Sequence, residues 1–215
     1  MDMPDTRLFH LHYHVPDVEY AEQVLADNGL PLRARFGSVD GETVAVEPGE
    51  EPPEGFRLRL QDAQRGYANV TFTRGKHVQF DHLGIVTSAF DVIIERAKKA
   101  DWTVQGVDGP RTFLIPPWGF RIEVHPEDGR IATTLGSWEE SRFENVVLTV
   151  PSPSEVEDGL QSVLGHISGV SIRKGESQPH VPKATLGGQA FPGGLTIRAS
   201  TLAADSASET PEEAK

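Results

Sequence analysis

His10, His12 and His14 alternate along the run LFHLHYHV at 8–15, and a strand places alternate side chains on one face. Leu11, Tyr13 and Val15 then form an apolar face for a covering helix, and the three imidazoles look the other way, into the sheet's inner side. The run FDHLGIVT at 80–87 is ordered alike: Leu83 and Ile85 pack, while His82 shares the inner face with Gly84 and Val86. Around GFRIEV at 119–124, Ile122 and Val124 are the packing residues, which leaves Arg121, Glu123 and His125 inward. Imidazoles and a carboxylate gathered on inner faces suit metal ligation or proton transfer. With eight histidines and no cysteine, the chain can hold a metal only through His, Asp or Glu. The missing thiols also exclude disulfide scaffolds, zinc ribbons, iron–sulfur clusters and cysteine nucleophiles.

The elements that carry these residues repeat. Residues 8–15 lead into PDVEYAEQVLADNGL, 80–87 into SAFDVIIERAKKADW, and ENVVLTV at 144–150 into PSPSEVEDGLQSVLG, each a strand followed by a short amphipathic helix. Each segment ends in a strand opened by glycine: GFRLRL at 55–60, GFRIEV at 119–124 and GLTIRA at 194–199. Shorter β-rich pieces such as LRARFG and RTFLIP lie between. The unit predicted is βαβββ, and the fold class is α+β. Modules are expected at 8–78, 79–140 and, in degenerate form, 141–200. Residues 201–215 are expected to be a disordered tail, because Ala203 to Lys215 contains no large apolar side chain.

Composition narrows the partners. With 20 Lys plus Arg against 32 Asp plus Glu, for a net charge of −12, the chain lacks the basic face that phosphate neutralisation needs, so no nucleic acid is expected. No apolar run is long enough to cross a bilayer, and the first residues lack a secretory pattern, so no membrane contact and a cytoplasmic location are expected. No G-x-S-x-G elbow, Walker loop or G-x-G-x-x-G turn is present.

The repeated βαβββ order over Leu8–Ser200 resembles the vicinal oxygen chelate superfamily, which includes glyoxalase I, bleomycin-resistance proteins and extradiol ring-cleavage dioxygenases. The resemblance implies that the first two modules pair into a cup-shaped half-barrel around a divalent metal. It implies ligands from the start of the first strand and the middle of the last strand of each module, at His10, Arg59, His82 and Glu123. A guanidinium has no lone pair to give, so Arg59 drops out. His10, His82 and Glu123 remain, a set similar to the two-histidine, one-carboxylate triad of non-haem Fe(II) oxygenases. Fe(II) is the expected metal, with Mn, Ni, Zn or Co as alternatives. At the matching places of the third module stand Asn145 and Arg198, which implies a metal-free module that covers the open edge of the pair or pairs with a second chain as a homodimer.

Other inner residues follow from the same picture. His12 and His125 are candidates for moving protons or for holding ligands in place. Arg59 and Arg121, with Arg57, either clamp an anionic group of a small-molecule substrate or form internal ion pairs. Phe113 and Trp118 line a pocket for an aromatic substrate or are ordinary core. Asp81 faces the helix side by parity. The activity implied first is extradiol-type cleavage of a catechol-like substrate, although Phe113 and Trp118 stand where those enzymes place a tyrosine. Alternatives are a lyase, isomerase or thiol transferase using a non-iron metal, and a protein that only binds or sequesters a small ligand.

Overall fold

A computed structural model describes residues 6–176 and 178–204. The first histidine run lies in β1 (Thr6–Val15), which leads into α1 (Val18–Asp27), β2 (Leu32–Val39), β3 (Glu42–Val46), β4 (Arg57–Arg65) and β5 (Ala68–Arg74). There follow β6 (Gln79–Thr87), α2 (Phe90–Lys99), β7 (Thr103–Gln105), β8 (Thr112–Ile115) and β9 (Arg121–Pro126). The last segment holds β10 (Arg142–Val150), α3 (Pro153–Leu164), β11 (Ile167–Ser168), β12 (Val170–Lys174), β13 (His180–Gly187) and β14 (Leu195–Arg198). Each helix stands where the apolar spacing put it. Asp17 caps α1 by accepting from the amides of Glu19 and Tyr20, and Gly29, at φ 88°, lets the chain turn out of it.

One large sheet has the order β3-β2-β4-β5-β1-β6-β9-β8-β7. Its centre is the antiparallel pair β1–β6, with Leu11 opposite Leu83. Outside that pair run two parallel neighbours, β5 beside β1 with His10 next to Asn69, and β9 beside β6 with Gly84 next to Glu123. An approximate twofold axis between Leu11 and Leu83 therefore relates His10 to His82, His12 to Gly84, Asn69 to Arg121 and Thr71 to Glu123.

This register corrects the reading of the first segment's closing strand. GFRLRL runs into β4, whereas the strand parallel to β1 is β5 (ANVTFTR). The two are joined by a tight turn at Gly66, whose φ is 51°. Glycine at the head of a strand marked β4 correctly as a strand, but only a parallel neighbour of β1 can occupy the place that β9 takes in the second segment. Arg59 is thus exposed on β4, and the counterpart of Glu123 is Thr71.

The third segment has a strand, a helix and three further strands in chain order, with the two-residue β11 inserted, but its strands are arranged differently. Its sheet runs β12-β10-β13-β14, with β12 parallel to β10 immediately after the helix. Ser171, not Arg198, occupies the position beside Val147, and its hydroxyl donates to Asn145 Oδ1 at 3.0 Å. Val146, Leu148, Val150, Val181, Ala184 and Leu186 join Leu11, Tyr13, Leu83 and Ile85 in one core. The segment therefore backs the apolar side of the large sheet, where Tyr13 Oη donates to the Val181 carbonyl at 3.0 Å, rather than covering the rim of the polar side. β11 extends this contact by pairing with Thr6 and Arg7 of β1. Leu202 is fully buried in the same core, so the packed chain extends past 200; the expectation of disorder at 205–215 lies outside the described residues. No described helix is long and apolar enough to cross a membrane.

Trp118 ties the second segment to the third. Its ring packs edge-on to Trp102 at 5.4 Å between ring centres and its Nε1 donates to Glu155 at 3.0 Å, while a Cβ at Gly159 of α3 would fall on the indole. Glycine inside a helix costs about 1 kcal/mol relative to alanine, so Gly159 is explained by the tryptophan it admits. Gly159→Ala should lower stability by about 1–3 kcal/mol through overpacking. In a Trp118→Ala background the same change should raise stability. Thermal unfolding of the four variants reads the reversal of sign; destabilisation in both backgrounds would refute it.

Candidate metal centre

Three buried donor atoms converge on the polar face where β1, β6 and β9 run side by side. His10 Nε2 lies 3.2 Å from His82 Nε2, His82 Nε2 lies 3.1 Å from Glu123 Oε2, and His10 Nε2 lies 3.9 Å from the same oxygen. Their residues are 5%, 1% and 5% exposed. Partners on the far side of each group decide which atoms face inward. His10 Nδ1 donates to Asn69 Oδ1 at 2.7 Å, and His82 Nδ1 donates to Asp81 Oδ2 at 2.9 Å, since a carboxylate only accepts. Both Nε2 atoms thereby face Glu123 Oε2 and each other, His10 through its lone pair and His82 through a proton it gives to the carboxylate or yields to an ion.

Without an ion, a charged His82 donates from Nδ1 to Asp81 and from Nε2 to Glu123. A proton on His82 Nε2 can serve one contact at a time, and a divalent ion can serve all three. Donor atoms held at right angles by an ion at about 2.1 Å stand about 3.0 Å apart, so these spacings fit one small ion. Electrostatics separates the two histidines. Burial, then the neighbouring His82, pushes the His10 imidazole down to about 3, keeping it neutral and able to ligate. Burial works against the charged form of His82, but its hydrogen bonds to Asp81 and Glu123 outweigh this and raise its pKa. Burial also disfavours the Glu123 carboxylate, yet hydrogen bonds from His125 and His82 hold its pKa far below the usual range.

Two bulges aim the histidines. The β1–β6 register slips once at Phe9 and once at Asp81, the residues just before His10 and His82, and the twofold axis relates these two sites. A bulge residue leaves the strict alternation of the strand, which is why Asp81 is turned to the polar face instead of the helix side. Phe9 stacks on His10 at 5.5 Å between ring centres and meets His125 edge-on at 5.8 Å. Tyr67, Val86, Ile131, Leu135 and Trp138 pack with Phe9 and close that end of the site. Asp81 pairs with Arg121, whose guanidinium lies over Phe113 at 4.7 Å. At this end Arg111 and Arg121 are partly exposed. Asp81→Ala should leave the fold intact and weaken metal binding by ~10–100-fold, the usual cost of losing a ligand's hydrogen-bonding partner. Calorimetric titration with Zn(II) checks this, and unchanged affinity would deny Asp81 that role.

Neither a protein-family model nor a curated protein sequence matches the chain. Solved structures do. The Mn(II)-bound glyoxalase from Novosphingobium aromaticivorans superposes with a TM-score of 0.58 at 14% identity, covering 82% of this chain and 64% of that one. The 2,3-dioxygenase LapB from Pseudomonas sp. KL28 gives 0.52 at 13% identity, over 82% and 72% of the two chains. A mutant 4-hydroxymandelate synthase from Streptomyces coelicolor gives 0.57 at 10% identity, over 84% and 70%. The chain has the vicinal oxygen chelate fold. It spans less than two thirds of the length of the glyoxalase it matches.

Within the vicinal oxygen chelate fold, the sequence-predicted residues separate into three groups. His10, His82 and Glu123 stand together, with His12 beside them: its ring centre is 4.7 Å from that of His82. His125 belongs to the site but is engaged, because its Nε2 donates to Glu123 Oε1 at 2.9 Å; it orients the carboxylate. Phe113 meets His82 edge-on at 5.3 Å and faces the site. Arg121 is spent on Asp81, the ion-pair alternative, so its assignment to substrate is corrected. Arg59 and Trp118 are corrected as well. The first is exposed on β4, and the second packs against α3 on the apolar side. Arg111 went unnoticed in the sequence. Its Nε lies 3.5 Å from Glu123 Oε1 across the β8–β9 pair, and nothing in a loop residue's local pattern signals such a reach.

Proposed function

We propose that the chain is a divalent-metal-dependent enzyme acting on a small molecule that presents two neighbouring oxygens to an ion held by His10, His82 and Glu123. The observation that carries this reading is the convergence of three buried donor atoms, His10 Nε2, His82 Nε2 and Glu123 Oε2, within 3.9 Å of one another. A divalent ion there supplies Lewis acidity toward the substrate's oxygens, and Fe(II) adds redox capacity. The protein's own groups do the rest. Asn69 and Asp81 fix the two imidazole tautomers, and His125 with Arg111 orients Glu123. Burial, followed by the nearby His82 and His10, lowers the pKa of His12 and keeps that imidazole neutral beside the site. Phe9, Tyr67 and Trp138 keep water from the closed end.

Extradiol-type ring cleavage of a catechol-like substrate with Fe(II) is supported by the two-histidine, one-carboxylate triad. Lewis-acid isomerisation or elimination with Mn, Ni, Zn or Co is supported by the position of His12, whose Nδ1 makes no hydrogen bond among the described residues. Metal analysis of protein purified anaerobically without chelator, followed by oxygen uptake with a panel of catechols, tests both. One Fe per chain with catechol-dependent uptake supports the first; one Mn, Ni, Zn or Co per chain and no uptake supports the second. A chain that retains no ion at micromolar concentration refutes the metalloenzyme reading.

A further inference from the structure

The twofold axis exposes a gap. The second segment supplies two donors, His82 from β6 and Glu123 from β9, whereas the first supplies His10 from β1 and, at the place of Glu123, Thr71 from β5. Thr71 is occupied, its hydroxyl donating to Asn69 Oδ1 at 3.2 Å and so helping to hold the partner of His10. The same half of the site carries an imidazole with no counterpart, because His12 is related by the axis to Gly84. His12 lies next to His82 across the β1–β6 pair.

We propose that His12 is a fourth protein ligand, relocated from β5 to β1 and binding through Nδ1; the proposal rests on the metal site described above. One donor atom each from His10, His12 and His82 lies within 4.8 Å of the others. The ring centres are 4.7 Å apart for His12 and His82, 5.1 Å for His10 and His82, and 6.1 Å for His10 and His12. Imidazoles bound at about 2.1 Å place their ring centres roughly 3.3 Å from an ion, hence about 4.6 Å apart at a right angle and about 6.6 Å apart when opposed. All three spacings fall in that span. Hydrogen bonding selects the atom. His12 Nε2 lies 3.1 Å from Thr73 Oγ1, a hydroxyl that can accept its proton, whereas a proton on Nδ1 would meet no acceptor within hydrogen-bond distance among the described residues, so the tautomer with the lone pair on Nδ1 is favoured. The nearest acidic atom to Nδ1, Asp81 Oδ2, is 3.9 Å away, beyond hydrogen-bond distance.

Four protein ligands leave a six-coordinate ion two free positions. A substrate with two adjacent oxygens fills both, and no third position remains for a second reactant. The inference therefore narrows the substrate class to a single chelating molecule that is rearranged or cleaved without a co-substrate on the ion.

The experiment is titration of the full chain with Co(II), read by affinity and by the visible absorption bands, whose position and intensity report the number and type of ligands. Wild type should bind one Co(II). His12→Ala should weaken binding by more than ~100-fold, beyond the ~10–100-fold that a ligand's hydrogen-bonding partner commands, and should change the spectrum. His166→Ala, which removes an exposed imidazole away from the site, should change neither. If His12→Ala does not fold, His12→Gln, which keeps a polar group beside Thr73, is expected to behave in the same way. An unchanged spectrum and affinity in the His12 variant, with binding lost in His10→Ala, would overturn the fourth ligand and leave the triad standing. Absence of Co(II) binding in the wild type would overturn both.

Discussion

Glu123→Gln should abolish tight metal binding while leaving the fold in place. The amide matches the carboxylate in shape, and its oxygen can still accept from His125 Nε2 where Oε1 does now. What it cannot supply is charge. Among the inward atoms at the meeting point Glu123 carries the only formal negative charge, since His10 and His82 contribute neutral nitrogens when they ligate. The amide nitrogen is no ligand, so a variant that rotates it inward loses the donor as well. The loss in Zn(II) affinity should exceed the ~10–100-fold expected for Asp81, which acts only through His82. Titration of both variants, with circular dichroism as the check on folding, reads the ordering. Affinity within tenfold of wild type in Glu123→Gln would exclude this carboxylate from the ligand set.

Gly84→Ala should damage the same site from underneath. A Cβ at this position would lie 2.8 Å from His10 Cβ, 3.0 Å from Phe9 Cε1 and 3.1 Å from His10 Cδ2. None of these atoms ends a flexible chain: His10 is tied at Nδ1 to Asn69, and Phe9 is stacked on it. Overpacking of this kind costs about 1–3 kcal/mol. For a domain of this size each kcal/mol lowers Tm by about 2–4 °C. The larger effect falls on binding, because the ring that must move carries one of the converging nitrogens. Adding Phe9→Ala relieves one contact and should recover part of the stability without recovering the metal. If Gly84→Ala binds Zn(II) as wild type does, His10 is not held where it is described.

Much of this site was legible in the strand alternation. The parity of 8–15 and 80–87 separates His10, His12, His14 and His82 from the packing side correctly, because one face of each strand is buried against helices. The resemblance then selects His10, His82 and Glu123 out of eight histidines and 32 acids. Two features defeated the same reasoning. Parity assumes an unbroken ladder, and the slip at Asp81 turns that residue from the helix side to the polar face. Counting strands from their glycines could not tell β4 from β5, since only inter-strand pairing reveals which runs parallel to β1; Arg59 was taken for a position that belongs to Thr71. Arg111 lay beyond reach for a third reason. Its role depends on how far a long side chain extends across a neighbouring strand pair.

The paired bulges give the site two unlike ends. One backbone irregularity, placed twice by the twofold axis, carries an aromatic ring beside His10 and a carboxylate beside His82. The ring seals its end with a hydrocarbon plug, and the carboxylate tethers a guanidinium at a rim where Arg111 also stands. Arg111, Arg121 and Phe113 stand together at that rim. Each guanidinium there is matched to a carboxylate, Arg111 to Glu123 and Arg121 to Asp81, so an ion entering the site would change the balance of both pairs.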